Sequence, residues 1–418
     1  MAGRSSQADN RGSNLFSFLA SGKGKEFHSF RSAASVGDSN YFGDESDGAF
    51  NSSGATSLTV TNKNGSYDGD MMVRQHSSFT LNAGHNYTVD QPCRGLVILC
   101  TGDVSISGTL TMSARGAYAD TVDNSTNPNS NISTNVPSDG LIWKFGRGGG
   151  ERALSAVSTD LNGAAPPSGD IYTWLSQQNN LIDGLSGTEV RMSRQGAAGG
   201  SGAAGSPNTG RDGTAGTTGT NSVSSDLYTM STGGGGGGGN GAWNGNQPAG
   251  NGSYGSCFGG GSGGGGIRSS NPNSGHNAAI WGGPGGPGDD GGTFNYCGGG
   301  GAGNAGGTGN DNGGTANDGG DGTGGLLVII AKGSVTVNSG GSIVSAGQAG
   351  GDASGHPDGN RVEAGGGGSG AGIILIAHGG TYTNNGTVSA SGGGGGTAPS
   401  NSGGAGGAGA IRAIRIGV

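Results

Sequence analysis

The sequence predicts an all-β protein: short strands in a β-solenoid- or sandwich-like sheet, glycine-rich arms of the polyglycine II type, and one helix near 170–183. Three observations predict it. Glycine accounts for 103 of 418 residues, and 79 of these lie in 191–418, where average usage is roughly 7%. Two dense apolar islands, Leu326-Leu327-Val328-Ile329-Ile330-Ala331 and Ile373-Ile374-Leu375-Ile376-Ala377, interrupt the glycine runs. A strand–turn pattern around these islands recurs along the chain.

Residues 1–40 read as a polar, Ser/Gly-rich arm with one apolar patch, Leu15, Phe16, Phe18 and Leu19. Such a patch docks onto another protein or caps the chain's own next domain. Residues 41–120 read as a β-rich domain. Its clearest stretch is Gly95–Gly116, with an apolar strand at Leu96–Cys100, a glycine turn, an alternating strand, another glycine turn and a third strand. The pattern returns in Gly325–Gly347 and in Gly372–Gly392, with Ala331 and Ala377 46 residues apart. The C-terminal stretch Gly409–Ile416 opens like a further copy. Repeats that cannot bury their apolar face alone must stack, so Leu326–Ala331 and Ile373–Ala377 are expected to be buried, neighbouring strands.

Residues 121–231 read as an insertion of polar loops with one helix. In Asp170–Gly184, Ile171, Trp174, Leu175, Leu181 and Ile182 fall on one face, Asp170 caps the start and Gly184 ends it. Residues 232–418 form the glycine-rich domain. Its runs, such as Gly233–Gly239, Gly365–Gly368 and Gly392–Gly396, resemble a flexible linker in composition, but linkers carry no β-branched clusters. Glycine chains can instead adopt a three-residue-per-turn form without internal hydrogen bonds, whose N–H and C=O groups bond to neighbours. Gly233–Gly239 is therefore expected to be hydrogen-bonded to other glycine segments.

Composition also bounds function. A net charge of −8 argues against a nucleic-acid partner, which needs a basic stripe. No apolar signal core follows Met1, so classical secretion is not expected. Cys93, Cys100, Cys257 and Cys297 form no Cys-x-x-Cys pair, so no zinc site is expected; free thiols are expected, with a Cys257–Cys297 bond as the alternative. The six histidines have no metal-ligand spacing. Gly319–Leu326 brushes against a calcium-binding nonapeptide pattern but has no tandem copy. With no metal, cofactor or nucleophile motif, the expectation is no enzyme and no cofactor.

The aromatics point elsewhere. Trp243, Tyr254, Phe258, Trp281, Phe294 and Tyr296 lie between glycine runs, beside Asn, Ser and Asp. If the runs form a slab, the linking segments cluster as loops at its ends. Rigid rings among small polar residues suit a recognition surface; the alternative is rings lying flat on the slab.

The blocks Gly325–Gly347 and Gly372–Gly392, each an apolar strand followed by Gly/Asn turns, resemble the glycine-rich domains of phage tail-fibre and tail-spike proteins. The polyglycine runs with aromatic and polar loops are similar to the tip adhesins of T-even-type long tail fibres, whose distal domain is a polyglycine sandwich. The likeness covers about 42–120 and 232–418; this chain is longer and its repeats more prominent. The resemblance implies a structural virion protein assembled in the host cytoplasm and exposed on the particle, a tail fibre or tip adhesin that recognises the host surface. Its partners would be other virion proteins and a host glycan or outer-membrane protein, with the chain a homo-oligomer (a trimer) or bound to an oligomeric fibre. The alternatives are a capsid or tail decoration protein and a polysaccharide-degrading spike.

Overall fold

The computed structural model describes residues 42–60, 69–117, 141–146, 153–156, 187–204, 211–224, 227–241, 249–268, 315–316, 319–320, 322–354, 364–398 and 401–416. The described part is all-β and contains no α-helix. The expected helix near 170–183 and the arm patch at Leu15, Phe16, Phe18 and Leu19 lie outside the described residues.

Strands come in triplets. One triplet is Met72–His76, Ser78–Leu81 and Asn86–Val89; the next is Leu96–Cys100, Val104–Ile106 and Thr109–Thr111. The third is Leu326–Ala331, Val335–Val337 and Ser342–Val344, and the fourth Ile373–His378, Tyr382–Asn384 and Thr387–Ser389. Like strands pair with like in parallel, so three sheets of five strands result. Ala410–Arg415 extends the sheet of first strands, while Ala49–Asn51 and Thr56–Leu58 extend the other two at the opposite edge. The triplet at 96–111 pairs directly with that at 326–344. The copy at 95–116 thus stacks with the later two, and the intervening 200 or so residues leave and return between adjacent strands.

The two apolar islands pair in register with Leu326 opposite Ile373 and Ala331 opposite His378. The repeat at this sheet is thus 47 residues and not the 46 that separates Ala331 from Ala377. A shift of one sends a side chain to the other face of the sheet, and Ala331 and Ala377 do face different cores.

The difference between continuous and alternating strands has a direct cause. Phe79, Leu81, Val104, Ile106, Leu110, Val335, Val337 and Ile343 face an inner core shared by all three sheets, and their chain neighbours face outward. First strands are buried on both faces. Leu96, Ile98, Leu327, Ile329, Ile374 and Ile376 enter the inner core, whereas Val97, Leu99, Val328, Ile330 and Leu375 enter a second, outer one. Two-sided burial demands an unbroken apolar run.

The outer core is closed by a mixed sheet in the order Ala153–Ala156, Leu141–Gly146, Gly187–Met192, Leu227–Met230, Asn221–Ser224. Trp143, Val190, Met192 and Met230 from this sheet pack against the first strands. The expected insertion of loops at 121–231 thus supplies five strands.

Glycine segments grow out of these strands and bond to one another. Gly233, Gly236 and Gly239 donate to Ala371, Gly368 and Gly365. Gly234, Gly237 and Asn240 donate to Thr217, Thr214 and Arg211, while Gly235 and Gly238 donate to Ser253 and Gly250. Each third residue faces the same neighbour. The carbonyls follow suit: Thr232, Gly235 and Gly238 accept from Ala197, Gly200 and Ala203; Gly233 and Gly236 from Gly261 and Gly264; Gly234 and Gly237 from Gly407 and Gly404. Segment 232–240 is therefore surrounded by six others, three taking its N–H groups and three supplying its carbonyls. Segment 364–372 is surrounded in the same way, by 401–409, 345–351, 260–266, 232–240, 392–397 and 322–324. The ten described segments pack as layers of three, four and three. A Cβ on Gly233 through Gly238 would run into a carbonyl oxygen of an adjoining segment, so the spacing is open to glycine alone.

Candidate functional site

The segments have two ends of different character. At the base they continue into strands: 345–351 follows Ser342–Val344, 364–372 precedes Ile373–His378, 401–409 precedes Ala410–Arg415, and 231–240 follows Leu227–Met230. At the distal end the chain ties itself off. Arg211 and Asn240 exchange N–H and carbonyl bonds at 2.9 Å each, and Ala249 N donates to Ala203 O at 2.9 Å. Asn240 Nδ2 also donates to Ala203 O at 3.3 Å. Gly239 N reaches Gly365 O, and Gly365 N reaches Asn401 O, at 2.9 Å each. Asn240–Gly241 pairs with Ile267–Arg268, and Thr315–Ala316 with Ala353–Ser354.

Two carboxylates finish this end. Asp352 Oδ1 accepts from Thr397 N at 2.6 Å and Oγ1 at 2.9 Å. Asp212 Oδ1 accepts from Ser402 N at 2.8 Å. These hydrogen bonds tie the segment ends to one another among the described residues. Five linking stretches, 205–210, 242–248, 269–314, 355–363 and 399–400, begin and end among these tied residues. Four of the six expected recognition rings, Trp243, Trp281, Phe294 and Tyr296, belong to those stretches and lie outside the described residues.

The other two rings are elsewhere. Phe258 sits at the tip of a tight turn closed by Ser256 N to Gly259 O at 2.7 Å, with Ser256 Oγ accepting from Phe258 N at 3.2 Å. This turn joins segments 249–253 and 260–266 at the base, and Phe258 is 2% exposed in the outer core with Cys257 beside it. Phe258 is thus not a surface recognition residue: the large apolar ring has a dry core within reach and fills it. Tyr254 is 39% exposed, but adjoins the same turn and so lies at the base, away from the distal linkers.

Among the described residues no three of His, Cys, Asp and Glu gather as a metal site. Cys93, Cys100 and Cys257 are buried. Burial pushes the Cys100 thiol up to about 11 and that of Cys257 higher still, which keeps both protonated and poorly nucleophilic. Burial lowers the pKa of His76 and of His378, the latter also under the influence of Arg415. Tyr87 is pushed up to about 12 by burial. No family model, curated protein or solved structure matches the chain.

Proposed function

We propose that this chain is a virion protein of a tailed phage and that it acts as a tail-fibre or tip adhesin. In this reading the strand triplets form a β-solenoid, the glycine segments are polyglycine II rods, and the linkers at the distal end recognise the host surface. A glycan or an outer-membrane protein is the partner, and other virion proteins, as a trimer or an oligomeric fibre, hold the base. The observation that carries the proposal is the anchoring of every distal linker in one closed layer at the end of a dense glycine bundle. Loops placed on a scaffold that satisfies its own hydrogen bonds can vary in sequence at little cost to the fold. The aromatic and Asn/Ser/Asp content of those linkers supplies contact area and adaptable polar groups. No catalytic step is part of this function.

Adsorption competition tests it. Purified chain added to host cells before phage should bind the cells and lower adsorption, and deleting 242–248 with a two-glycine closure should weaken binding while leaving the fold intact. Binding to phage particles but not to cells would turn the assignment towards decoration. Release of reducing sugar from capsule would turn it towards a spike.

A further inference from the structure

The first described segment, residues 42–51, is held to the strands around a single buried imidazole. Asp47 N donates to Gln75 O at 2.9 Å, Gln75 N to Asp47 Oδ2 at 2.7 Å, and Asp44 N to Gln75 Oε1 at 3.0 Å. Next along, Gly48 O accepts from Ser77 N at 3.1 Å and meets His76 Nδ1 at 3.1 Å. Since a carbonyl only accepts, the proton of the neutral ring must sit on Nδ1. The other nitrogen, Nε2, is buried and has no hydrogen-bond partner. The ring is 4% exposed and is enclosed by Phe50 and Phe79, both with centroids at 5.5 Å. Phe50 in turn stacks on Phe79 at 4.7 Å and meets Tyr87 edge-on at 5.1 Å.

We infer that His76 is an acid-sensitive latch for segment 42–51, and hence for the point at which residues 1–41 join the strand block. A second proton would go to Nε2, where it finds no acceptor inside an aromatic enclosure, and an unpaired buried charge is strongly disfavoured. The ring can charge only if the segment lifts and water reaches it. The charged groups around it are Asp47, from the segment itself, and Arg74, two residues earlier on its own strand, which pair at 3.7 Å. Asp47 favours the cation, Arg74 opposes it, and burial opposes it most. Strands 78–81 and 86–89 contribute Phe79 and Tyr87, and the neighbouring strand 96–100 contributes Cys100, opposite His76 in the strand register and with its thiol pushed up by burial; none of these carries charge near neutrality. His85, whose Nδ1 meets Ser52 Oγ at 2.8 Å, touches the chain just beyond the segment and is the one other imidazole to be separated from it by experiment.

The direction of the pH effect is fixed. The folded pKa of His76 lies below the ordinary 6.5, so the stability its neutral form supplies is complete above 6.5 and is lost as pH falls through the lower folded value. Opening of the segment should then rise by up to tenfold per pH unit for one proton across that interval. This inference is independent of the adhesin reading.

Hydrogen exchange of the full chain, corrected for intrinsic rates, at about pH 7.5 and about pH 5 reads it out, above the main carboxylate range. Peptides covering 42–52 should open faster at the lower pH, while those covering the central strand at 326–330, which carries no titratable side chain, should not change. His76→Gln, whose amide can still donate to Gly48 and does not titrate, should remove the response, and His85→Gln should keep it. No response in the native chain, or a response that survives His76→Gln, overturns the inference. A ring titration by NMR decides independently of any variant: His76 titrating at or above 6.5 also overturns it.

Discussion

Alanine at Gly236, at the centre of segment 232–240, should cost about 3–6 kcal/mol. Gly236 N donates to Gly368 O at 2.8 Å, and its carbonyl accepts from Gly264 N at 2.9 Å. The new methyl would run into Gly404 O, and Ala405 O would lie only 2.8 Å from it. Neither oxygen belongs to a side chain that could swing aside. Making room requires segment 401–409 to move outward, and that segment donates Gly404 N to Gly237 O at 2.8 Å and Gly407 N to Gly234 O at 2.7 Å. Losing buried bonds costs roughly 1–3 kcal/mol each, and overpacking adds roughly 1–3. Relaxation along a rod of small residues brings the sum down to the stated range. Gly394 is the control. It is exposed, a Cβ there meets nothing within 4 Å, and its φ is not left-handed. Gly394→Ala should therefore be stabilising by about 0.4–1 kcal/mol through the unfolded chain. Urea unfolding with region-resolved hydrogen exchange measures both, since a chain with two kinds of structure need not unfold in one step. If Gly236→Ala fell within about 1 kcal/mol of the native chain, or Gly394→Ala were equally damaging, the close-packed hydrogen-bonded bundle would be refuted.

Other perturbations read different parts. Ser369→Ala should cost about 2–4 kcal/mol in the same unfolding assay, because Ser369 Oγ accepts from Gln348 N at 2.7 Å and donates to Gly322 O at 3.0 Å within the bundle. Ile329→Ala should cost about 2–5 kcal/mol by opening a cavity in the inner core. Asp352→Ala should fray 392–398 by about 0.5–1.5 kcal/mol, visible as local exchange only, since its two bonds are exposed. Thiol titration of the native chain at about pH 8 should leave Cys100 and Cys257 unmodified, with modification only after unfolding.

Much of the strand block was legible because burial leaves a signature in residue type. The islands at 326–331 and 373–377 carry unbroken apolar runs, and the structure makes them buried parallel neighbours. The partial copy at 409–416 pairs as the next strand. The triplet at 72–89 is a full member of the stack but reads poorly as a copy, because Arg74 and Gln75 stand where the later copies carry Ile, Leu or Ala. That strand is the edge of its sheet, and the segment at 42–48 supplies polar partners which no local pattern announces. The mixed sheet was illegible for another reason. Its strand Gly187–Met192 pairs with both Leu141–Gly146 and Leu227–Met230 across long separations, and its side chains alternate over too few residues to stand out. Phe258 misleads because a ring among glycines looks exposed, while a two-residue turn can plunge it into a core built by distant strands.

The strand block and the glycine bundle depend on each other. Ordering a residue's backbone costs about 1–2 kcal/mol, with glycine worse than alanine by roughly 0.5–1, and a hydrogen bond returns only about 0.5–1.5 net. A bundle of rods held by one bond per residue, with almost no side chains to bury, is at best near balance on its own. The strands change that balance in two ways. Their side chains, worth about 1.5–3 kcal/mol each when fully buried, stabilise a block from which the rods emerge already in register, so the entropy of bringing rod ends together is largely spent at the base. The turn at 256–259 follows the same logic. Segments 249–253 and 260–266 do not continue directly from strands, and Cys257 and Phe258, buried between the sheets, pin their base instead. At the distal end, among the described residues, Arg211, Asn240, Asn401, Asp212 and Asp352 tie the segments with hydrogen bonds. The described scaffold is thus anchored by side chains at one end and by backbone and carboxylate hydrogen bonds at the other, and each end holds the rods in the register that the bonds between them require.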